Sequence, residues 1–112
     1  MDLQVGDIDG VTKVVLAGRL DTAGVSRIEV RFSASVVPGD KPAVVDLTEV
    51  PFLASLGIRM LISTTRAMSL KGRKLALYGA NPAVMEVIET TNLQDIIPHA
   101  ASEAEAIALV RA

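Results

Sequence analysis

Val44-Val45-Asp46-Leu47-Thr48-Glu49-Val50-Pro51-Phe52-Leu53-Ala54-Ser55-Leu56-Gly57 reads as a buried strand, a short loop and a serine at the mouth of an amphipathic helix. A helix N-terminus leaves backbone N–H groups without intrahelical acceptors and carries the positive end of the helix dipole. A phosphate attached or bound there is stabilised by both. Ser55 is therefore either an ordinary helix cap, contributing roughly 1 kcal/mol, or a switchable phosphoacceptor.

Two features near Ser55 bear on that choice. Of Phe52, Leu53, Leu56 and Ile58, no more than three can face a core from one short loop and turn. The remainder forms an exposed apolar rim suited to docking a partner. Gly57 in the first turn costs helix propensity, roughly 1 kcal/mol relative to alanine. In return it opens the backbone around Ser55 to close approach.

Outward from this stretch the pattern alternates between strands and helices. Downstream, the helix is expected over Ser55 to Lys71, with Ile58, Leu61, Ile62, Thr65 and Met68 facing the core and Arg59, Ser63 and Arg66 opposite. Upstream, Pro42 to Leu47 is continuously apolar, as in a strand covered on both faces. Leu3 to Ile8 and Val11 to Ala17 are strand-like runs joined by Asp9-Gly10, a two-residue hairpin turn. Val25, Ile28, Phe32 and Val36 mark a helix that Asp21 or Thr22 can cap and Pro38-Gly39-Asp40 breaks. Lys74 to Gly79 is the next strand, and Asn81-Pro82 starts a helix with Val84, Val87 and Ile88 inward. Ile96-Ile97 is expected as a short edge strand, followed by a capping box at Ser102 to Glu105 and a last helix burying Ile107 and Val110. Helices between successive strands imply parallel pairing by right-handed crossovers, with the hairpin adding an antiparallel edge.

Composition narrows the function. With 112 residues the chain fits one domain. No apolar run approaches the roughly 20 residues needed to cross a bilayer. The N-terminus lacks the basic-then-apolar pattern of a signal peptide, so a cytoplasmic location is expected. There is no cysteine, which excludes disulfide and thiolate chemistry. A net charge of −2 and only Phe32, Phe52 and Tyr78 as aromatics give little to hold nucleic acid. No ligand set for a metal and no phosphate-cradling glycine loop occurs, so neither metal nor cofactor is expected. His99, beside Pro98, reads as a solvated loop residue, and Lys71-Gly72-Arg73-Lys74 as a solvated basic helix end. Ser55 has Leu53 where a nucleophile elbow needs glycine, and no histidine base is evident, so the chain is not expected to be an enzyme.

Asp46 to Gly57 resembles the signature of STAS domains, the family of bacterial anti-sigma-factor antagonists. That pattern is a strand ending in Asp-Leu, a Val and a Phe-Leu pair, then Asp-Ser-Ser/Thr-Gly opening a helix. Gly18-Arg19-Leu20-Asp21 is similar to the family's Gly-x-Leu-Asp, and Arg73-Lys74-Leu75-Ala76-Leu77 and Asn81-Pro82 sit where the family has their counterparts. The resemblance implies one α/β STAS-like sandwich over residues 1–112. It implies a mixed, mostly parallel sheet of four to five strands with an N-terminal β-hairpin, and about four helices.

The resemblance also implies a binding module. In the family, the first serine of Asp-Ser-Ser-Gly is phosphorylated by a partner that is both anti-sigma factor and serine kinase. Phosphate abolishes the complex and a serine phosphatase restores it. Ser55 matches that serine, and Asp21 matches the family's nearby acidic residue. The partner-binding set so implied is Asp21, Phe52, Leu53, Ala54, Ser55, Leu56, Gly57 and Arg59. Ala54 and Leu56 depart from the pattern, replacing the Asp before the serine and the second Ser or Thr. A scaffold subunit of a stress-signalling complex or of a membrane lipid-transport system, without phosphoswitching, is the alternative. An enzyme or small-ligand carrier would need convergent polar groups, for which Asp21, Asp46 and Ser55 are the few candidates.

Overall fold

Asp9 and Gly10 both adopt positive φ, 52° and 78°, in the computed structural model, which describes residues 1–112. That turn type matches the twist of the strands it joins. It folds β1 (Asp2–Ile8) antiparallel onto β2 (Val11–Ala17), with Ile8 opposite Val11. The chain continues through α1 (Thr22–Val36), β3 (Ala43–Glu49), α2 (Ser55–Ser69), β4 (Leu75–Tyr78), α3 (Pro82–Thr90), β5 (His99–Ala100) and α4 (Glu103–Arg111). The strands lie in sequence order in one sheet, and every pairing after the hairpin is parallel.

Strands added in one direction by right-handed crossovers put their connecting helices on the same face. Accordingly α1, α2 and α3 share the larger core, while α4 covers the opposite face with a smaller cluster. The continuous apolarity of β4 follows directly: Leu75 and Leu77 point into the larger cluster, Ala76 and Tyr78 into the smaller. Val25, Ile28, Phe32 and Val36 are all buried, as their spacing requires. The sheet has five strands and the molecule four α-helices. No helix is long and apolar enough to cross a membrane.

Five local expectations are corrected. The edge strand is His99–Ala100 rather than Ile96-Ile97, because Ile96 and Ile97 both donate to the Leu93 carbonyl in a helical turn. Ile97 is instead buried in the larger core. His99 is consequently not a solvated loop residue: its Nε2 accepts from the Ala80 N–H at 3.2 Å, and burial lowers its pKa.

The buried face of α2 is Gly57, Met60, Leu61, Thr64, Thr65 and Met68, rotated from the expected stripe. Ile58 and Ile62 are only half-buried, since α1 packs beside α2 on the Met60 side. Nor is Arg73 solvated. One Nη donates to the carbonyls of Val36 at 2.8 Å and Lys41 at 2.9 Å, and the other to Val37. In the last helix Ala106 and Val110 are buried, with Ile107 half-buried at the edge of the same cluster.

Candidate functional site

The two strand-to-helix loops pair with each other. Leu20 and Leu53 form a parallel bridge, the Leu20 N–H donates to Phe52 O, and the Ala54 N–H donates to Leu20 O, both at 2.9 Å. This sets the N-termini of α1 and α2 side by side. Asp21 caps α1, its Oδ1 accepting from the Gly24 N–H at 2.9 Å. Its other oxygen accepts from Arg19 Nε at 3.2 Å, and the Arg19 guanidinium lies 4.4 Å from the Phe52 ring centroid. The Gly24 N–H first, and then Arg19, hold the Asp21 carboxyl below the usual carboxylate range. The stability this gives is present above the unfolded pKa and is lost as pH falls through the lower folded value. An NMR titration should show Asp21 titrating below the usual carboxylate range.

The start of α2 differs from that of α1. Its N-cap is Ala54, which has no side-chain cap bond, and Ser55 is the first helical residue, exposed to solvent. The reading of Ser55 as a cap is thus corrected: a hydroxyl already inside the first turn does not reach the amides a cap serves. The first helical bond runs from the Ile58 N–H to Ala54 O at 3.1 Å, and the amides of Ser55, Leu56 and Gly57 have no backbone acceptor. Ser55→Ala should therefore change stability by less than about 0.5 kcal/mol. Ala54→Asp should add about 1 kcal/mol by supplying the absent cap. Urea denaturation checks both.

Around Ser55, Phe52 is 39% exposed, Arg59 is exposed, and Ala54 and Leu56 are half-buried. Leu53 and Gly57 do not belong to this surface. Leu53 is 3% exposed and packs in the core. A Cβ on Gly57 would stand 2.9 Å from Leu53 Cδ1, 3.0 Å from Leu20 O and 3.1 Å from Leu20 Cβ. The glycine lets α2 press against the α1 loop; it does not open the backbone to an outside partner. Gly57→Ala should cost about 2 kcal/mol, since the Leu20 carbonyl is backbone and cannot swing aside.

Two contributors were not visible in the sequence. Arg19 enters only because its loop pairs with residues 52–54. A groove of about 510 Å³ between Phe52 and α3, lined also by Ala83, Glu86, Val87 and Thr90, extends the apolar rim away from Ser55.

The candidates Asp21, Asp46 and Ser55 do not converge on one site. Asp46 turns to the α4 face, where its Oδ1 accepts from the Thr48 N–H at 2.8 Å, while Asp21 is engaged with Gly24 and Arg19. Burial and the Glu103 carboxylate raise the pKa of Tyr78 on that face, leaving its hydroxyl protonated. No cluster of three or more His, Cys, Asp or Glu side chains could hold a metal ion.

The sequence profile of the STAS domain matches residues 2–106. A Bordetella bronchiseptica protein provisionally named anti-sigma factor antagonist BtrV is 29% identical over 108 residues, covering 96% of this chain and 93% of that protein. An anti-sigma factor antagonist from Mycobacterium paratuberculosis has a crystal structure with a TM-score of 0.87 at 28% identity, covering 99% of this chain and 94% of that one. The anti-sigma factor antagonist SpoIIAA of Bacillus shares the fold. Its unphosphorylated form gives a TM-score of 0.79 at 22% identity over 98% of this chain and 96% of that one. Its phosphorylated form gives 0.66 at 19% over 96% and 98%.

Proposed function

Because the chain belongs to the STAS domain family, we propose that it is an anti-sigma-factor antagonist. On this reading it binds an anti-sigma factor with serine kinase activity while Ser55 carries a free hydroxyl, and it lets go when Ser55 is phosphorylated. The similar proteins named as anti-sigma factor antagonists support the coarser half of this reading.

One observation carries the finer half: an exposed serine opens an uncapped helix beside the ionised carboxylate of Asp21. A phosphate adds about −1.5 to −2 charges at pH 7. The unpartnered first-turn amides of α2 accommodate that charge within the domain. An apolar interface built on Phe52 and Leu56 does not, and Asp21 adds a like charge nearby. The same modification is therefore tolerated by the fold and rejected by the complex. The action is binding, with phosphoryl transfer performed by the partner and reversed by a phosphatase.

Incubation with the anti-sigma factor kinase of the same cell and ATP should add a single phosphate by intact mass, and Ser55→Ala should abolish it. Phosphate still appearing on the Ser55→Ala protein would remove Ser55 as the acceptor. Stable partner binding with no phosphate on the parent chain would instead indicate a scaffold subunit.

A further inference from the structure

At the far end of α2 from Ser55, the sheet has an uncovered edge. β5 pairs only with Leu77 and Tyr78, so the first half of β4, paired with β3 on one side, has no strand on the other. In that register the Leu75 carbonyl would look to the N–H of Pro98, and proline has none to give. The Leu77 N–H makes the first bond across, to Pro98 O at 2.9 Å.

Protein does not fill the gap. A cavity of about 300 Å³ lies between the C-terminal halves of α2 and α4, with Leu75 at its floor. That volume is at the lower end for small-molecule sites. One wall is apolar, from Ile96 and Leu109, each 43% exposed at the rim. The other is formed by Thr65, Ser69 and Lys74. Thr65 is only 7% exposed and its Oγ1 has no hydrogen-bond partner. Lys74 Nζ donates to Ala112 O at 2.9 Å and takes part in no ion pair with a carboxylate side chain.

We propose that this cavity binds a small amphipathic monocarboxylate. Its hydrocarbon chain lies against Ile96 and Leu109, and its carboxylate lies at Lys74 and the α2 hydroxyls. Thr65 and Ser69 are one turn apart and share a helix face. Threonine in a helix divides between two χ1 wells, and moving from one to the other exchanges a hydroxyl for a methyl of similar size. The unpaired Thr65 hydroxyl can therefore turn into the cavity without displacing backbone. A cation at the mouth selects an acid over an amine.

The site is independent of Ser55 and its modification. Titrating the isotope-labelled full chain with hexanoate should shift the amides of Thr65, Ser69, Leu75, Ile96 and Leu109 saturably. Hexylamine should bind at least roughly three-fold more weakly, as loss of an exposed charge pairing predicts. Thr65→Val should weaken hexanoate roughly five-fold, the effect of one hydrogen bond. Leu109→Trp should abolish binding by filling the cavity, with Ile96→Trp as the companion should that variant misfold. Shifts that spread over the surface or do not saturate would overturn the site, as would tryptophan variants that bind like the parent. Equal binding of hexylamine, or undiminished hexanoate binding by Thr65→Val, would overturn the proposed ligand chemistry.

Discussion

Arg73→Met is expected to lower the stability of the domain by about 2 kcal/mol, read as a lower urea midpoint with an unchanged slope. Helix α1 has no basic residue in its last turn, so its final carbonyls depend on a donor from elsewhere. Arg73 is the main such donor, reaching Val36, Val37 and Lys41 from just before β4, and Lys71 Nζ adds a bond to Val37 O at 3.3 Å. Arg73 is 9% exposed, its guanidinium pairs with no carboxylate, and its Nε has no partner. Desolvating it is unfavourable, and methionine relieves that term while matching much of the aliphatic stem. Against this, methionine leaves the Val36 carbonyl buried and unpaired, and an orphaned buried acceptor costs about 1–3 kcal/mol. The Val37 and Lys41 carbonyls are closer to solvent and lose less. The acceptors outweigh the relief because the charged donor serves several of them at once. Against a total of about 5–15 kcal/mol for a typical domain, the loss is readily measured. A midpoint equal to or above that of the parent would show that water, rather than Arg73, completes the end of α1.

That residue also shows where sequence reading stops. Local signals were legible: Asp9-Gly10 fixed the hairpin and the three- and four-residue spacing from Val25 to Val36 fixed the face of α1. Asn81-Pro82 placed the start of α3, with Asn81 accepting from the Val84 N–H at 2.8 Å. Each depends on residues within a turn or two of one another. Arg73 meets Val36 across 37 positions, and nothing near Lys71-Gly72-Arg73-Lys74 separates a cap in trans from a solvated helix end.

The Arg19–Phe52 stack likewise exists only once the loops pair at Leu20 and Leu53. At Ser55 the local signal misled by one position. A serine before an amphipathic run suggests an N-cap, but Ala54 N–H donating to Leu20 O holds Ala54 extended and starts the helix at Ser55. At Gly57 the small residue was legible and its reason was not, since the surface it spares belongs to Leu20 and Leu53 of the same chain.

Ser55→Asp is expected to weaken binding of the anti-sigma factor about 30-fold, roughly 2 kcal/mol, while leaving the domain slightly more stable. The two halves have different causes. A carboxylate in the first turn of α2 faces unpartnered amides and the positive end of the dipole, worth about 0.3–1 kcal/mol at an exposed position. In the complex the same charge is withdrawn from water beside Phe52 and Leu56 and near Asp21, which Gly24 and Arg19 keep ionised. Loss of affinity with gain of stability separates a switch from a folding defect, because a damaged fold would lower both. Phe52→Ala supplies the apolar counterpart. Truncating a half-exposed aromatic anchor should weaken the complex by about ten-fold without adding charge, and should free Arg19 from its stack. If Ser55→Asp binds within two-fold of the parent while Phe52→Ala does not, the partner reads the rim and ignores the serine. That outcome removes phosphoswitching and keeps the docking surface. If neither substitution changes affinity, the anti-sigma factor engages another face, and the exposed start of α2 has no part in recognising it.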